Sequence, residues 1–420
     1  MIAVESMTAI VSPKILLATT CRWFSTARSA MAFRDADCLV YTVCPKGHPV
    51  KLTSACDRIY PYHGFAPLRC FADAINASQP DIVIPCDDLA CAHLHEMYAR
   101  APKDQTGDAL RMLLERSLGD PSQFSLIDAR SQLIALAREL NIDTPETGVI
   151  STVDELRAWI SRIGLPVVLK TDGTSGGLGV RIADSEEEAV RAFETLNVPP
   201  HFVRAIKRAL VDQDKTLLIP WFKRRRPVVN VQGFLPLNDA TITVACWHGE
   251  VLASICVDVL RTWKPKGPAS VVRLIDNENM LLAAQKLARR LHLSGLCGFD
   301  FMLERKTGRA HLIEMNPRAT QTCHLPLGTA HNLPAALAAA VAGRAIPNSV
   351  SITERDIIAL FPLEWQNDSA SPFLHSGYHD VPWEEPKLVQ ACMESRMRSG
   401  GWLTYDNLNR LLAQLPWRRS

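Results

Sequence analysis

Residues 298–322 constrain this chain more than any other stretch, because they read as a β-hairpin with two acids facing each other. Phe299, Phe301 and Leu303 alternate with Asp300, Met302 and Glu304; after a turn, His311, Ile313 and Met315 alternate with Leu312, Glu314 and Asn316. Alternation of period two marks a half-buried strand. Thr307-Gly308 sits at the turn, where glycine accepts a positive φ without steric cost. A turn folded symmetrically about Thr307 sets Asp300 opposite Glu314, with Asn316 on the same face and Arg318 just past Pro317. Like charges directly opposite across a ladder are destabilising. A cation between them removes that penalty. Two carboxylates and an amide oxygen are hard donors, suited to Mg²⁺ that also holds substrate phosphates. The bland alternative is a solvated hairpin face charged by chance; against it, the acids, the amide and the arginine all share one face.

At 420 residues the chain is long enough for two or three domains. Its net charge of +2 carries no global signal for nucleic acid. The twelve cysteines, among them Cys21, Cys86, Cys246 and Cys323, form no CxxC pair. That pattern speaks against a zinc or redox motif and for reduced thiols in a cytoplasmic protein. Glu5 and the lack of a basic n-region make the N-terminus a poor signal peptide. No apolar run reaches membrane-spanning length; the alanine-rich stretch 333–342 reads as a buried helix.

Residues 1–116 read as an α/β domain with a parallel sheet: strands at 14–18, 38–43 and 81–85, helices near 24–34 and 66–77. The turn 19–23 holds no glycine, so the dinucleotide fingerprint is missing. Asp87-Asp88 ends the third strand, where such sheets place ligands. The pair either holds a substrate amine or caps the next helix. A second unit, residues 117–345, opens with a helix at 128–140 carrying Arg130 and another at 152–163 capped by Ser151 or Thr152 with Glu155. A strand at 165–170 ends in Lys170, followed by the glycine-rich loop 171–179 and a returning strand at 180–182. Strand, glycine loop, strand is a hairpin lid rather than a P-loop, and its exposed N–H groups suit phosphate oxygens. This lid spans about residues 165–235. Within it, residues 201–227 carry eight basic and two acidic side chains, either a solvated surface or an attractor of anions. Strands at 228–234 and 241–247, a turn at His248-Gly249, a strand at 271–274 with Arg273, and a helix at 277–291 lead to the hairpin. Residues 346–420, with Trp365, Trp383, Trp402 and Trp417 and many prolines, read as an irregular extension packing aromatics on the body, with helices near 388–398 and 405–414.

The order of these parts resembles the ATP-grasp superfamily from about residue 14 to about 345. Ile313-Glu314-Met315-Asn316-Pro317-Arg318 is similar to carbamoyl-phosphate synthetase large subunits; biotin carboxylase and D-alanine–D-alanine ligase share the looser pattern. The resemblance implies a chain of α/β and α+β class: an ATP-grasp fold behind an N-terminal parallel-sheet domain, with an irregular C-terminal extension. It implies Asp300, Glu314 and Asn316 as ligands of Mg²⁺ or Mn²⁺, and Arg318 and Arg273 as catalytic groups. Lys170, Ser175, Gly176 and Gly177 would hold ATP phosphates, and Arg130 would reach the nucleotide from its helix. Gln232 and Leu235 lie in the segment resembling the hinge that reads adenine, and Asp239 falls where a glutamate usually binds ribose. Gly233 replaces a common acid at the hinge, and Asp239 is one methylene short; both bear on nucleotide affinity.

The implied activity is ADP-forming ligation of a small-molecule carboxylate to an amine, through an acyl phosphate. No nucleic acid or membrane is expected as partner, and a homodimer is left open. Two alternatives stand beside it: carboxyphosphate chemistry on bicarbonate, and an ATP-binding module without catalysis. His93 and His95 are expected to serve packing or the surface.

Overall fold

Residues 15–18 are apolar and buried on both faces, the pattern of a strand covered by helices on each side. They belong to β1 (Lys14–Ala18), which joins β2 (Leu39–Cys44), β3 (Arg58–Pro61) and β4 (Ile82–Pro85) in a parallel sheet of order β3-β2-β1-β4. The structure, a computed structural model, describes residues 12–127, 129–171, 179–199, 222–224, 226–264 and 267–398. β3 is absent from the sequence reading: it is a four-residue edge strand ending in Pro61, too short to show a period. Chain order reverses beside β1, so a crevice opens at the C-terminal ends of β1 and β4.

A second, antiparallel sheet contains β5 (Thr147–Ile150), β6 (Val167–Thr171), β7 (Val180–Ala183) and β8 (Val229–Gly233), in the order β5-β8-β6-β7. Helices Val153–Ile163 and Glu186–Leu196 pack on it over their own core, which includes Leu156, Trp159, Leu169, Phe193 and Val231. Thr152 is the cap of the first helix: its Oγ1 accepts from Glu155 N (3.2 Å), and the Glu155 carboxylate accepts from Ser151 N (2.8 Å). Residues 172–178 of the glycine loop and 200–221 of the basic stretch lie outside the described residues.

The third sheet has seven strands, β9 (Asn238–Trp247), β10 (Glu250–Thr262), β11 (Ala269–Leu274), β12 (Gly295–Leu303), β13 (Ala310–Asn316), β14 (Ile357–Ala359) and β15 (Tyr378–His379). Their order is β13-β12-β9-β10-β11-β14-β15. His248 and Gly249, at φ 49° and 88°, make the two-residue turn between β9 and β10, as hairpin twist favours. Helix Glu278–Leu291 covers the face carrying Phe299 and Phe301, and helix Leu333–Val341 shares a core with Ala245 and Leu296. Both cores continue into the parallel sheet, one through Leu16 and Val83, the other through Ile15 and Ile82.

The C-terminal extension is irregular, in short pieces, yet β14 and β15 extend the large sheet. Buried Glu364 anchors it, accepting from Arg261 and Ser270 (both 2.7 Å), and Asp380 accepts from Arg28 of helix Phe24–Asp35. Phe361 meets Phe24 edge-on at 5.5 Å. Trp383, expected to pack on the body, is 73% exposed. Trp402, Trp417 and the expected helix at 405–414 lie outside the described residues. Helix Pro386–Arg398 stands where one was expected.

Candidate functional site

Asp300 and Glu314 face each other across β12 and β13, but not by the route the sequence suggested. The turn closes with Glu304 N donating to Arg309 O (2.9 Å), and the first pairs are Leu303–Ala310, Met302–His311 and Phe301–Leu312. That register, continued, would put Ile313 opposite Asp300 and turn Glu314 to the other face. A β-bulge between Asp300 and Phe301 takes up the extra residue, so Asp300 pairs with Glu314, Phe299 with Met315 and Gly298 with Asn316. The strict alternation expected along β13 is thereby corrected: Leu312, not Ile313, shares the core with Met315.

Asp300 is tightly held. Thr241 Oγ1 donates to its Oδ1 and Asn316 Nδ2 to its Oδ2, both at 2.9 Å. Burial, and then the Glu314 charge, push its carboxyl up to about 6, against the pull of these two bonds and Arg318. Two facing carboxylates beside an amide form a donor set that a divalent cation fits. Among the described residues no group of three or more His, Cys, Asp or Glu side chains is arranged to hold a metal. The donor set is therefore incomplete by itself and suits an ion such as Mg²⁺ that keeps phosphate and water oxygens.

Gly298 brings Arg318 in. A Cβ there would lie 2.6 Å from Thr320 Cγ2, so only glycine lets residues 317–322 fold back across the strand. Thr243 Oγ1 pins that loop through Thr320 and Thr322 (both 2.9 Å), and Ala319 N donates to Pro85 O at the end of β4 (2.9 Å). Arg318 thus reaches the crevice of the parallel sheet. Its Nε donates to Asp88 Oδ1 (2.5 Å) and its Nη2 to Asn316 Oδ1 (3.1 Å). Burial works against the charge of Arg318, and Asp88, Asp300 and Asp87 more than offset it, holding its pKa above the usual value.

The Asp87-Asp88 pair divides. Asp87 Oδ1 caps helix Asp88–Arg100 through Ala90 N (2.9 Å), and its two oxygens gather the turn after β1 through Thr19 Oγ1, Thr20 N and Thr20 Oγ1 at 2.6–2.8 Å. Asp88, its side chain 49% exposed, takes the Arg318 ion pair.

Asp239 pairs across β12 with Met302, two residues along β9 from Thr241, and so shares the face of Asp300. Partial loss of hydration raises its pKa, and nearby Lys170 opposes this. Lys170, buried on β6, and Asp239 therefore lie close enough to interact. Gln232 is buried, its Nε2 donating to Thr147 Oγ1 (3.3 Å), while Gly233 N and Phe234 N donate to Glu146 O and Pro166 O; Leu235 follows, half-buried. Ser175, Gly176 and Gly177 lie outside the described residues, as does the side chain of Arg130, whose backbone opens helix Arg130–Glu139.

Arg273 does not join the cluster. It pairs with Asp258, then Ala240 and Phe301, whereas the row of Asp300 runs through Thr241, Val257 and Leu274. Adjacent rows point to opposite faces, so Arg273 is on the wrong side of the sheet and 3.7 Å from Asp356. The expectation failed because a residue's face depends on register through four strands. Thr241 and Gly298 were missed; a threonine two places from Asp239 and a glycine two before Asp300 were the only signs. His95 is a packing residue, stacked on Phe124 at 3.9 Å.

Residues 225–359 match the family described as ATP-grasp in the biosynthetic pathway with Ter operon, and residues 129–212 match the carbamoyl-phosphate synthase L chain ATP-binding domain. The carbamoyl phosphate synthase large chain of Methanothermobacter thermautotrophicus is 26% identical over 201 residues, 47% of this chain and 18% of that one. The arginine-specific large chain of Halalkalibacterium halodurans is 28% identical over 239 residues, 53% and 21% of the two chains. The chain thus spans about a fifth of the length of these curated relatives. N5-carboxyaminoimidazole synthetase from Staphylococcus aureus, complexed with ADP, superposes with TM-score 0.57 at 12% identity, covering 81% of this chain and 80% of that one. A biotin carboxylase complex from Campylobacter jejuni gives 0.56 at 13%, covering 81% and 74%. The chain has ATP-grasp domains and the fold that goes with them, and it is homologous to carbamoyl phosphate synthase large chains over about half its length.

Proposed function

We propose that the chain is an ADP-forming ligase that uses ATP to activate a carboxylate as an acyl phosphate and joins it to an amine. The observation that carries this is the facing Asp300 and Glu314, with Asn316 and Arg318 beside them at the edge of the parallel sheet. A carboxylate is a poor acylating agent because its leaving group would be oxide. When a carboxylate oxygen takes the γ-phosphoryl group, ADP departs and the leaving group becomes phosphate. The amine nitrogen then attacks the acyl carbon; the C–N bond forms, the C–O bond to phosphate breaks, and the amine's surplus protons pass to phosphate and solvent.

Such transfer needs positioning and charge neutralisation more than covalent help. Asp300, Glu314 and Asn316 would hold Mg²⁺, which would supply charge neutralisation for the phosphates. Lys170 meets the phosphates from the second sheet, and residues 165–235 act as the lid that keeps water from the acyl phosphate. Arg318 faces charge developing on the transferred group and the acyl oxygen. Asp239 takes the ribose and the hinge at Gln232–Leu235 the adenine, with Arg130 and the glycine loop completing the nucleotide site.

Bicarbonate as the carboxylate is a second reading, favoured by the likeness of residues 313–318 to carbamoyl-phosphate synthetase large subunits. The test is one screen: ADP release from MgATP across carboxylates, bicarbonate included, with and without primary amines. Release that needs both a carboxylate and an amine supports ligation; release with bicarbonate alone supports the second reading. ATP binding with no turnover under any condition sinks both.

A further inference from the structure

The C-terminal extension supplies none of the groups around Asp300, yet its Asp380 is buried against the loop that carries Arg318. Asp380 follows β15 and is 1% exposed. Its Oδ2 accepts from His324 Nε2 (2.7 Å) and its Oδ1 from Arg28 Nη2, and both partners are buried as well. Burial pushes the carboxyl up, but His324 and Arg28 outweigh it and hold Asp380 below its ordinary value. Three parts of the chain thus meet on one carboxylate: helix Phe24–Asp35 beside the parallel sheet, the loop after β13, and the extension. Asp380 lies beyond residues 129–212 and 225–359, so this junction belongs to the extension and not to the matched domains.

From His324 back to Arg318 the chain is one internally bonded piece. Leu325 N donates to Thr322 O (3.2 Å), Cys323 N to Thr320 O (3.3 Å) and Thr320 N to Cys323 Sγ (3.0 Å), which makes two overlapping turns. Arg318 N donates to Asn316 O (2.8 Å). Ile352 N of the extension donates to Pro326 O (2.9 Å), so the extension grips the far end of the loop by backbone as well as by side chain. We propose that Asp380 is a positioning residue: through His324 it holds loop 317–325 so that Arg318 stands at the crevice. The kinetic consequence rests on the ligase reading; the clamp itself does not. A group that acts on the transferring phosphoryl must be held to within about 0.5 Å. Misplacing it by about 1 Å costs on the order of 10²-fold in rate.

The test compares variants of the full chain by melting temperature, by amide exchange over residues 318–325, and by turnover of MgATP with the carboxylate and amine found by the screen. His324→Leu removes the donor to Asp380. His324→Gln puts an amide N–H in its place. Glu364→Gln loosens the extension's other buried anchor, which bonds to Arg261 and Ser270 rather than to the loop. Expected for His324→Leu are faster exchange over 318–325 and a kcat lower by about 10–100-fold, with KM for ATP little changed. His324→Gln should restore most of both, and Glu364→Gln should lower the melting temperature while sparing both. Asp380→Asn, which keeps the shape and weakens both bonds, repeats the comparison where His324→Leu does not fold. Unchanged exchange over 318–325, or faster exchange with an unchanged kcat, overturns the assignment while the ligase reading stands. So does an equal fall of kcat in Glu364→Gln at a matching loss of melting temperature. A wild type that never releases ADP removes the ligase reading alone, and exchange over 318–325 still decides whether Asp380 holds the loop.

Discussion

At the scale of single residues, the site is a balance of charges that folding alone would not favour. Asp300 is pushed up to about 6 by burial and by Glu314, so the cation-free hairpin is strained electrostatically. Glu314→Gln removes one charge and little volume. We expect it to abolish ADP formation while the melting temperature without Mg²⁺ holds or rises. Normal turnover at saturating Mg²⁺ in that variant would refute the metal assignment. Arg318 offers a second test at this scale. A guanidinium binds a carboxylate or phosphate as a fork, which an ammonium does not copy. Arg318→Ala should slow the chemical step by about 2.7–4 kcal/mol and change ATP affinity little. Calorimetry with single-turnover kinetics checks it; weakened ATP binding with unimpaired chemistry would contradict the role. That Asp300, Glu314, Asn316 and Arg318 lie together was legible because Glu314, Asn316 and Arg318 fall two apart in sequence and face an acid on the preceding strand. The partnership of Arg318 with Asp88 was not, since it joins residues 230 apart in sequence.

At the scale of elements, the hairpin shows what alternation can and cannot reveal. The sequence shows two strands and a glycine turn, and the facing acids follow if the turn is symmetric. The turn is displaced by one residue, and the bulge restores the pairing before it reaches Asp300. Periodicity is blind to this, because a bulge changes the face of a side chain without changing residue type. Gly298 belongs to this scale as well, since it decides how the loop leaves the hairpin. Gly298→Ala puts a methyl group against Thr320, whose Oγ1 is already bonded to Thr243. The expected cost is about 1–3 kcal/mol of stability, with the loss of turnover that displacing Arg318 brings. Denaturant melts and ADP assays check both; wild-type values in both would show the loop placement to be unimportant. The lid's glycines could be recognised in sequence as a loop rich in donors, but Ser175, Gly176 and Gly177 are outside the described residues.

At the scale of the molecule, two cores run unbroken from the parallel sheet into the seven-stranded sheet, while the β5–β8 sheet keeps its own. Sequence order shows the units but not which cores fuse, because the fusing contacts are non-local. Local opening follows core size. Amides of β6 and β8 should therefore exchange with solvent faster than those of β9 and β12, and MgATP should slow the former; equal protection without nucleotide would contradict the division. Acid should destabilise the whole chain through His48. Burial, then Lys51 and Arg22, pushes its pKa down to about 3, and its Nδ1 accepts from Val50 N (3.0 Å). Unfolded, the ring takes a proton below its ordinary value of 6.5; folded, it does not, so stability falls as pH drops from 6.5 toward 3. The loss at pH ~4.5 is about 2–3 kcal/mol, and His48→Asn should flatten that limb of the melting profile. The measurement that bears most directly on the central claim follows an oxygen atom. A carboxylate that stimulates ADP release is labelled with ¹⁸O and turned over with MgATP and amine. Expected is ADP with one ¹⁸O carried into inorganic phosphate; unlabelled phosphate, or AMP and pyrophosphate, would contradict activation through an acyl phosphate.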